Sequence, residues 1–267
     1  MSESTESAQL IDYRGNCHCG AFRFTFKTPE IKQAVACNCS ICSRNGYLWA
    51  FPASEDFVVV KGDENTTLKT YEFGKHTTGH KFCPTCGTSI LARTRNAEAQ
   101  TLAVNIRALA DVDLELLEVL VSDGAATDIP YQAPQPMDAG PVPQGTIAYN
   151  GHCHCGAVAY VLLAAEQLVK ARACNCSICS RDGVLWIYPP TSKVTFQGLD
   201  SMAEYTFASR TVYHGFCKTC GVAIRQRFDQ PGRLQTSLNV LTMNGLDLTT
   251  LKLGMHDGKR YEPQYAI

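Results

Sequence analysis

The chain has 267 residues, 45% hydrophobic and 18% charged, with a formal net charge of −1. This balance suits folded domains with an apolar interior, and it lacks the cationic field that drives sequence-independent binding to nucleic acid or anionic lipid. No stretch reaches the ~20 apolar residues of a membrane helix, and "MSESTESAQLIDY" has no basic region leading into an apolar one, so cytoplasmic residence is expected, with the nucleus left open.

Residues 1–12 read as a disordered tail. Beyond it comes "NCHCG", then "AFRFTFK", in which Phe22, Phe24 and Phe26 alternate with Arg23, Thr25 and Lys27, the period of a half-buried strand. "ACNCSICSRNGYLWAFP" spans Ala36 to Pro52. Strand-like runs follow: "FVVV" from Phe57, "LKTYEF" from Leu68, "TSILART" from Thr88 after "CPTCG", and "TLAVNIRAL" from Thr101. "LELLEVL" from Leu114 is too short for periodicity to separate a helical turn from a strand, as is "LTTLKL" from Leu248. A stretch with Pro134, Pro136, Pro141 and Pro143 cannot build a helix or central strand and reads as a linker over 132–146.

After the linker the chain repeats itself. Cys153 answers Cys17, Cys174 answers Cys37, Cys217 answers Cys83, His214 answers His80, and Asp257-Gly258 answers Asp123-Gly124, with only small shifts of register. The expected organisation is therefore a tandem duplication of a mainly β domain, 13–131 and 147–267.

Fourteen cysteines in a chain with no secretory signal do not suit a disulfide framework and point to metal or catalysis. Two distant cysteine pairs supply the four ligands of a closed tetrahedral zinc site. Cys17, Cys19, Cys83 and Cys86 fit that description, as do Cys153, Cys155, Cys217 and Cys220; the alternative is buried thiols packed as small apolar groups. Each copy then keeps a triplet: Cys37, Cys39 and Cys42, and Cys174, Cys176 and Cys179. Three thiolates on one Zn²⁺ leave a fourth position for substrate and a formal charge of −1, which suits binding a thiol better than generating hydroxide. A structural site completed by His18, His154, His80 or His214 is the competing reading. Arg44 and Arg181, directly after the triplets, are candidates to offset the added charge or hold a carboxylate, against a solvated surface role. Trp49, Trp186 and Tyr47 are candidates for pocket walls or for core.

"GNCHCGAFRF", "CNCSICSRN" and "FGKHTTGHKFCPTCGT", with "GHCHCGAVAY", "CNCSICSRD" and "HGFCKTCGV", resemble the glutathione-dependent formaldehyde-activating enzyme and centromere protein V family over nearly the whole of both repeats. The resemblance implies a β-tent fold, with one structural zinc on the cysteine pairs and one catalytic zinc on the triplet of each copy, four in total. It also implies a carbon–sulfur lyase or synthase activity that joins glutathione to formaldehyde. Asn38 and Asn175 stand inside the triplets where family enzymes often carry His, which is more similar to the centromere-protein branch. His76 is met by Arg210, and "SDGA" by "HDGK".

Two alternatives of other classes remain: a chromatin or nucleic-acid module, opposed by the charge and the absence of a Lys/Arg run, and a zinc-stapled scaffold without turnover. The expected partners are a small thiol and a small carbonyl compound.

Overall fold

A computed structural model describes residues 9–95, 100–126, 131–261 and 264–266, and it is mainly β, with two short α-helices among those residues. Each half builds a three-stranded and a seven-stranded sheet in the same order. In the first half, Ile11–Asn16, Arg23–Thr28 and Val58–Lys61 form the small sheet. Residues 1–8 of the expected tail lie outside the described residues, but Ile11 and Asp12 do not belong to a tail: they pair with Thr28 and Lys27.

The alternation read in "AFRFTFK" is the alternation of burial, with Phe22, Phe24 and Phe26 at 0%, 1% and 1% exposure. The second copy places Val158, Tyr160 and Leu162 there, and the buried Tyr160 hydroxyl is satisfied by Thr242 Oγ1 at 2.8 Å.

Both segments left undecided between turn and strand are both things in succession. Leu114–Leu116 is a 3-10 turn in which the Asp113 side chain accepts from the Glu115 N–H, and Glu118–Ser122 is a strand lying parallel to Gln33–Cys37. Leu248–Thr250, capped by Asp247, and Lys252–His256, parallel to Lys170–Cys174, repeat this. That pairing ends with Ser122 opposite Cys37 and His256 opposite Cys174, so each Asp-Gly pair is delivered to the first cysteine of its triplet.

The halves interlock about their helices, α1 (Ser40–Asn45) and α2 (Ser177–Asp182). α1 packs on the turn Val240–Thr242 of the second half, and α2 on the turn Ile106–Ala108 of the first. Gly46 and Gly183 end the helices in the left-handed conformation, φ 54° and 61°, and their backbones meet: a Cβ on Gly46 would lie 2.6 Å from the Gly183 carbonyl oxygen. Phe82 and Phe216 meet edge to face at 6.5 Å.

Arg107 closes the contact, donating from Nε to the Gly46 carbonyl at 2.6 Å and from Nη1 to the Ser180 carbonyl at 3.3 Å. The second copy has Leu241 at the corresponding position. Arg107→Leu should lower stability by about 1–3 kcal/mol, since two carbonyls at the contact lose a charged donor together. Chemical denaturation checks this, and an unchanged midpoint would mean that Arg107 does not hold the halves together.

Candidate metal centres

The cysteine pairs sit on two kinds of turn. Cys17 and Cys19 follow the strand Ile11–Asn16, where Cys17 N–H donates to the Phe22 carbonyl and Gly20 N–H to the Cys17 carbonyl. Cys83 and Cys86 form the turn between Thr78–Phe82 and Ser89–Arg95, closed by Cys83 N–H to the Thr88 carbonyl at 2.9 Å. The four sulfurs Cys17, Cys19, Cys83 and Cys86 lie within 4.8 Å of one another, as do those of Cys153, Cys155, Cys217 and Cys220. The Cys17–Cys19 and Cys19–Cys83 separations are both 3.6 Å, against the roughly 3.8 Å between sulfurs that tetrahedral zinc with bonds of about 2.3 Å requires. The donor set and its spacing therefore fit such an ion.

The triplets form where a strand runs into a helix. Cys37 ends the strand Gln33–Cys37, Cys39 is the N-cap of α1, and Cys42 lies inside α1; Cys174, Cys176 and Cys179 repeat this around α2. In each triplet the three sulfurs lie within 4.8 Å of one another, and among the described residues no His, Asp, Glu or further Cys joins them. None of the four histidines considered above completes a triplet. Thiol hydrogen bonds from Cys39 and Cys42 hold Cys37 down to about 2, those from Cys176 and Cys179 hold Cys174 down to about 3, and Cys42 and Cys179 are driven up as the donors. In each triplet the first cysteine is thus the thiol most easily deprotonated, and deprotonation is what a cation requires of its sulfur ligands. The indole N–H groups of Trp49 and Trp186 donate to Cys42 and Cys179 at 3.4 and 3.3 Å, so both tryptophans are buried beside sulfur.

Asn38 is not a ligand but a clamp. Its Nδ2 donates to Asp123 Oδ1 at 2.8 Å and its Oδ1 accepts from Ala125 N–H at 2.9 Å, while Asn175 does the same with Asp257 and Lys259 N–H. The clamp presses Gly124 so close to Cys37 that an added Cβ would collide with its sulfur. Gly124→Ala should weaken metal binding at the first triplet at least tenfold, a loss expected from displacing one ligand, and leave the second triplet unchanged. Competition with a chromophoric chelator measures it; two equally affected triplets would exclude the clamp.

The sequence carries no sign that each triplet is walled by the other repeat. His154, between two cysteines of the second tetrad, reaches Ser40 Oγ of the first triplet with Nε2 and Tyr71 Oη with Nδ1, both at 2.8 Å. His18 reaches Ser177 Oγ at 2.8 Å and Tyr205 Oη at 2.9 Å in the second. Tyr131 stacks on His154 and donates to its carbonyl at 2.5 Å; Tyr265 stacks on His18 and donates to its carbonyl at 2.7 Å. Arg44 and Arg181 lie beneath these two rings, 5.3 and 5.0 Å from their centroids, and donate to the Ser40 and Ser177 carbonyls. They are packed at the boundary between repeats rather than solvated, and Arg181 is buried. Burial, with Arg181 and Arg44 next, lowers His18 and His154 to about 3, so both rings are neutral.

Tyr131 and Tyr265 were legible only as residues repeated in register, without a motif to give them a role. Tyr47, found in one copy, is core: it is buried and its hydroxyl donates to Ser89.

The surroundings of the two triplets differ. Opposite His214 the strand carries Gln226, whose Nε2 reaches Cys179 Sγ at 3.7 Å; opposite His80 the first copy has Ala92, and the buried His80 Nδ1 has no hydrogen-bond partner among the described residues. Tyr188 is pushed up to about 12 by burial and then by Cys179 and Cys174, with Arg172 and Arg233 opposing.

The family model described as glutathione-dependent formaldehyde-activating enzyme matches residues 12–118 and 148–265. A Halomonas elongata protein, provisionally named as such an enzyme, is 34% identical over 82 residues, covering 28% of this chain and 52% of its own length. The chain thus spans about half the length of that curated relative. A crystal structure of a Rhodobacter sphaeroides protein shows 33% identity and a TM-score of 0.37, covering 41% of this chain and 99% of that one.

Proposed function

Because the chain belongs to the glutathione-dependent formaldehyde-activating enzyme family, we propose that it is a zinc-dependent carbon–sulfur lyase or synthase joining glutathione, or a related thiol, to a small aldehyde. The observation that carries this reading is the incomplete ligand set: three mutually close sulfurs per triplet, with no fourth donor among the described residues. In this proposal the tetrads hold structural zinc and the triplets reactive zinc, within domains 13–131 and 147–267. Zinc held by three thiolates would retain little power to acidify water and would leave a position for a soft thiolate.

In the forward direction a sulfur–carbon bond forms as the thiol adds across the carbonyl, and the thiol proton ends on the carbonyl oxygen; cleavage is the reverse. The chain positions these partners. Asn38 and Asn175 hold the Asp-Gly turns over the first cysteine of each triplet, and aromatic side chains at the repeat boundary pack against His154 and His18 and fix their rings. His18 and His154, held near 3 by burial, are too weakly basic to take the thiol proton at neutral pH. Their part is to fix Ser40 and Ser177 beside the triplets.

The test is calorimetric titration of the zinc-loaded chain with glutathione and with S-methylglutathione, which keeps the carboxylates and cannot offer a thiolate. Glutathione is expected to bind at least tenfold more tightly, and to yield the hydroxymethyl adduct from carbon-13 formaldehyde by NMR. Equal affinity for the two compounds and no adduct would make the triplets structural.

A further inference from the structure

The two triplets share one geometry, but their rims differ in charge. At the second, the strand that ends in Cys174 carries Arg172, and its parallel neighbour ends at His256, followed by Asp257, Gly258, Lys259 and Arg260. The corresponding residues at the first are Val35, Ser122, Asp123, Gly124, Ala125 and Ala126, so the acidic residue is common to both and the cations are not. Gly258 lies directly on the triplet: an added Cβ would stand 2.7 Å from Cys174 Sγ and 2.7 Å from Cys176 Cβ. Lys259 N–H is tied to Asn175 Oδ1 at 3.0 Å, which starts the Lys259 and Arg260 side chains at the triplet's edge. A cavity of about 320 Å³ opens there, lined by His256, Asp257, Arg260 and Tyr261, and among the described residues the Arg260 side chain makes one long ion pair, with Asp257 at 3.6 Å, and is 80% exposed.

A second cavity, about 360 Å³, lies at the repeat boundary, lined by His18, by Cys19 of the first tetrad and by Tyr265. Its walls include Tyr205 and Phe207, which, like Cys174 and Cys176, pack against the cluster around Cys179 and so connect it to the second triplet, and it includes Arg23 from the first repeat. The buried Nε of Arg23 has no hydrogen-bond partner among the described residues. The residue equivalent to Arg23 in the second repeat is Ala159, whereas Arg44 and Arg181 are common to both triplets. The hairpin before each tetrad turn does not redress the balance, with Lys75 and His76 in one copy and Ser209 and Arg210 in the other.

We infer that the second repeat's triplet is the site selective for a thiol bearing carboxylates, with Arg172, Lys259 and Arg260 on its outer rim and Arg23 in the inner cavity as the carboxylate-binding groups, and that the first triplet does not select for charge. The inference rests on the proposed thiol chemistry. Glutathione carries a carboxylate at each end of a chain with the thiol between them, so cations in two cavities that both connect to one triplet suit it. Each exposed pair changes affinity by roughly twofold to fivefold and is weakened by salt.

The experiment titrates the zinc-loaded full chain calorimetrically with glutathione, its diethyl ester and 2-mercaptoethanol. Glutathione should show one tight site, abolished by Cys176→Ser and retained in Cys39→Ser. Arg172→Ala combined with Arg260→Ala should weaken glutathione roughly tenfold and leave the ester and 2-mercaptoethanol unchanged. In the reverse direction, Ala125→Lys with Ala126→Arg in the Cys176→Ser background should strengthen glutathione binding at the first triplet severalfold. Glutathione bound equally at both triplets, or unaffected by the paired arginine substitutions while 2-mercaptoethanol still depends on the triplet cysteines, would overturn the assignment and leave the thiol chemistry standing. If no thiol depends on either triplet, the proposed function fails, and the charge assignment falls with it.

Discussion

Cys83→Ser should unfold the first repeat at physiological temperature and disturb the second. In the proposed assignment Cys83 is one of four ligands to a structural zinc, and such sites contribute on the order of 10 kcal/mol to folding, comparable to the whole stability of an ordinary domain. The buried Cys83 also anchors the turn joining two adjacent strands of the large sheet. The damage should travel, because His18 lies between two ligands of the same tetrad and reaches across to Ser177 beside the second triplet. Circular dichroism melts and metal analysis of the purified variant check this. A variant that keeps four equivalents of zinc and the parent's melting temperature would show that the tetrad is not a structural centre.

Cys176→Ser should have the opposite signature: near-parental melting, one zinc fewer, and turnover of glutathione with formaldehyde reduced by at least about a hundredfold, roughly 3 kcal/mol of transition-state stabilisation. The triplet draws its three sulfurs from one strand end and the helix that follows. Its loss therefore leaves the strand pairing of Lys170–Cys174 with Leu185–Ile187 and Lys252–His256 intact. Cys39→Ser, by the same reasoning, should cost a zinc but little glutathione turnover. If Cys83→Ser and Cys176→Ser melt alike, the division of the cysteines into structural and reactive sets is wrong. If Cys39→Ser and Cys176→Ser each halve turnover, the two sites are equal.

The duplication, the grouping of all fourteen cysteines into two tetrads and two triplets, and the mainly β character could all be read from the chain alone. These properties are written in local spacing: a C-x-C or C-x-x-C turn brings two sulfurs together whatever the rest of the fold does, and Phe22, Phe24 and Phe26 alternate because a strand alternates. The 3-10 turn and strand in "LELLEVL" could not be separated, since a few leucines satisfy either period and only the parallel partner Gln33–Cys37 decides. What tertiary structure alone decided is that the triplets are walled across the repeat boundary. His154 beside Ser40, His18 beside Ser177, and Arg23 in a cavity walled by Tyr205 and Phe207 are contacts between residues more than a hundred positions apart. They exist because Gly46 and Gly183 let two helix ends meet, and no periodicity in a linear chain encodes which surfaces of two similar domains will touch.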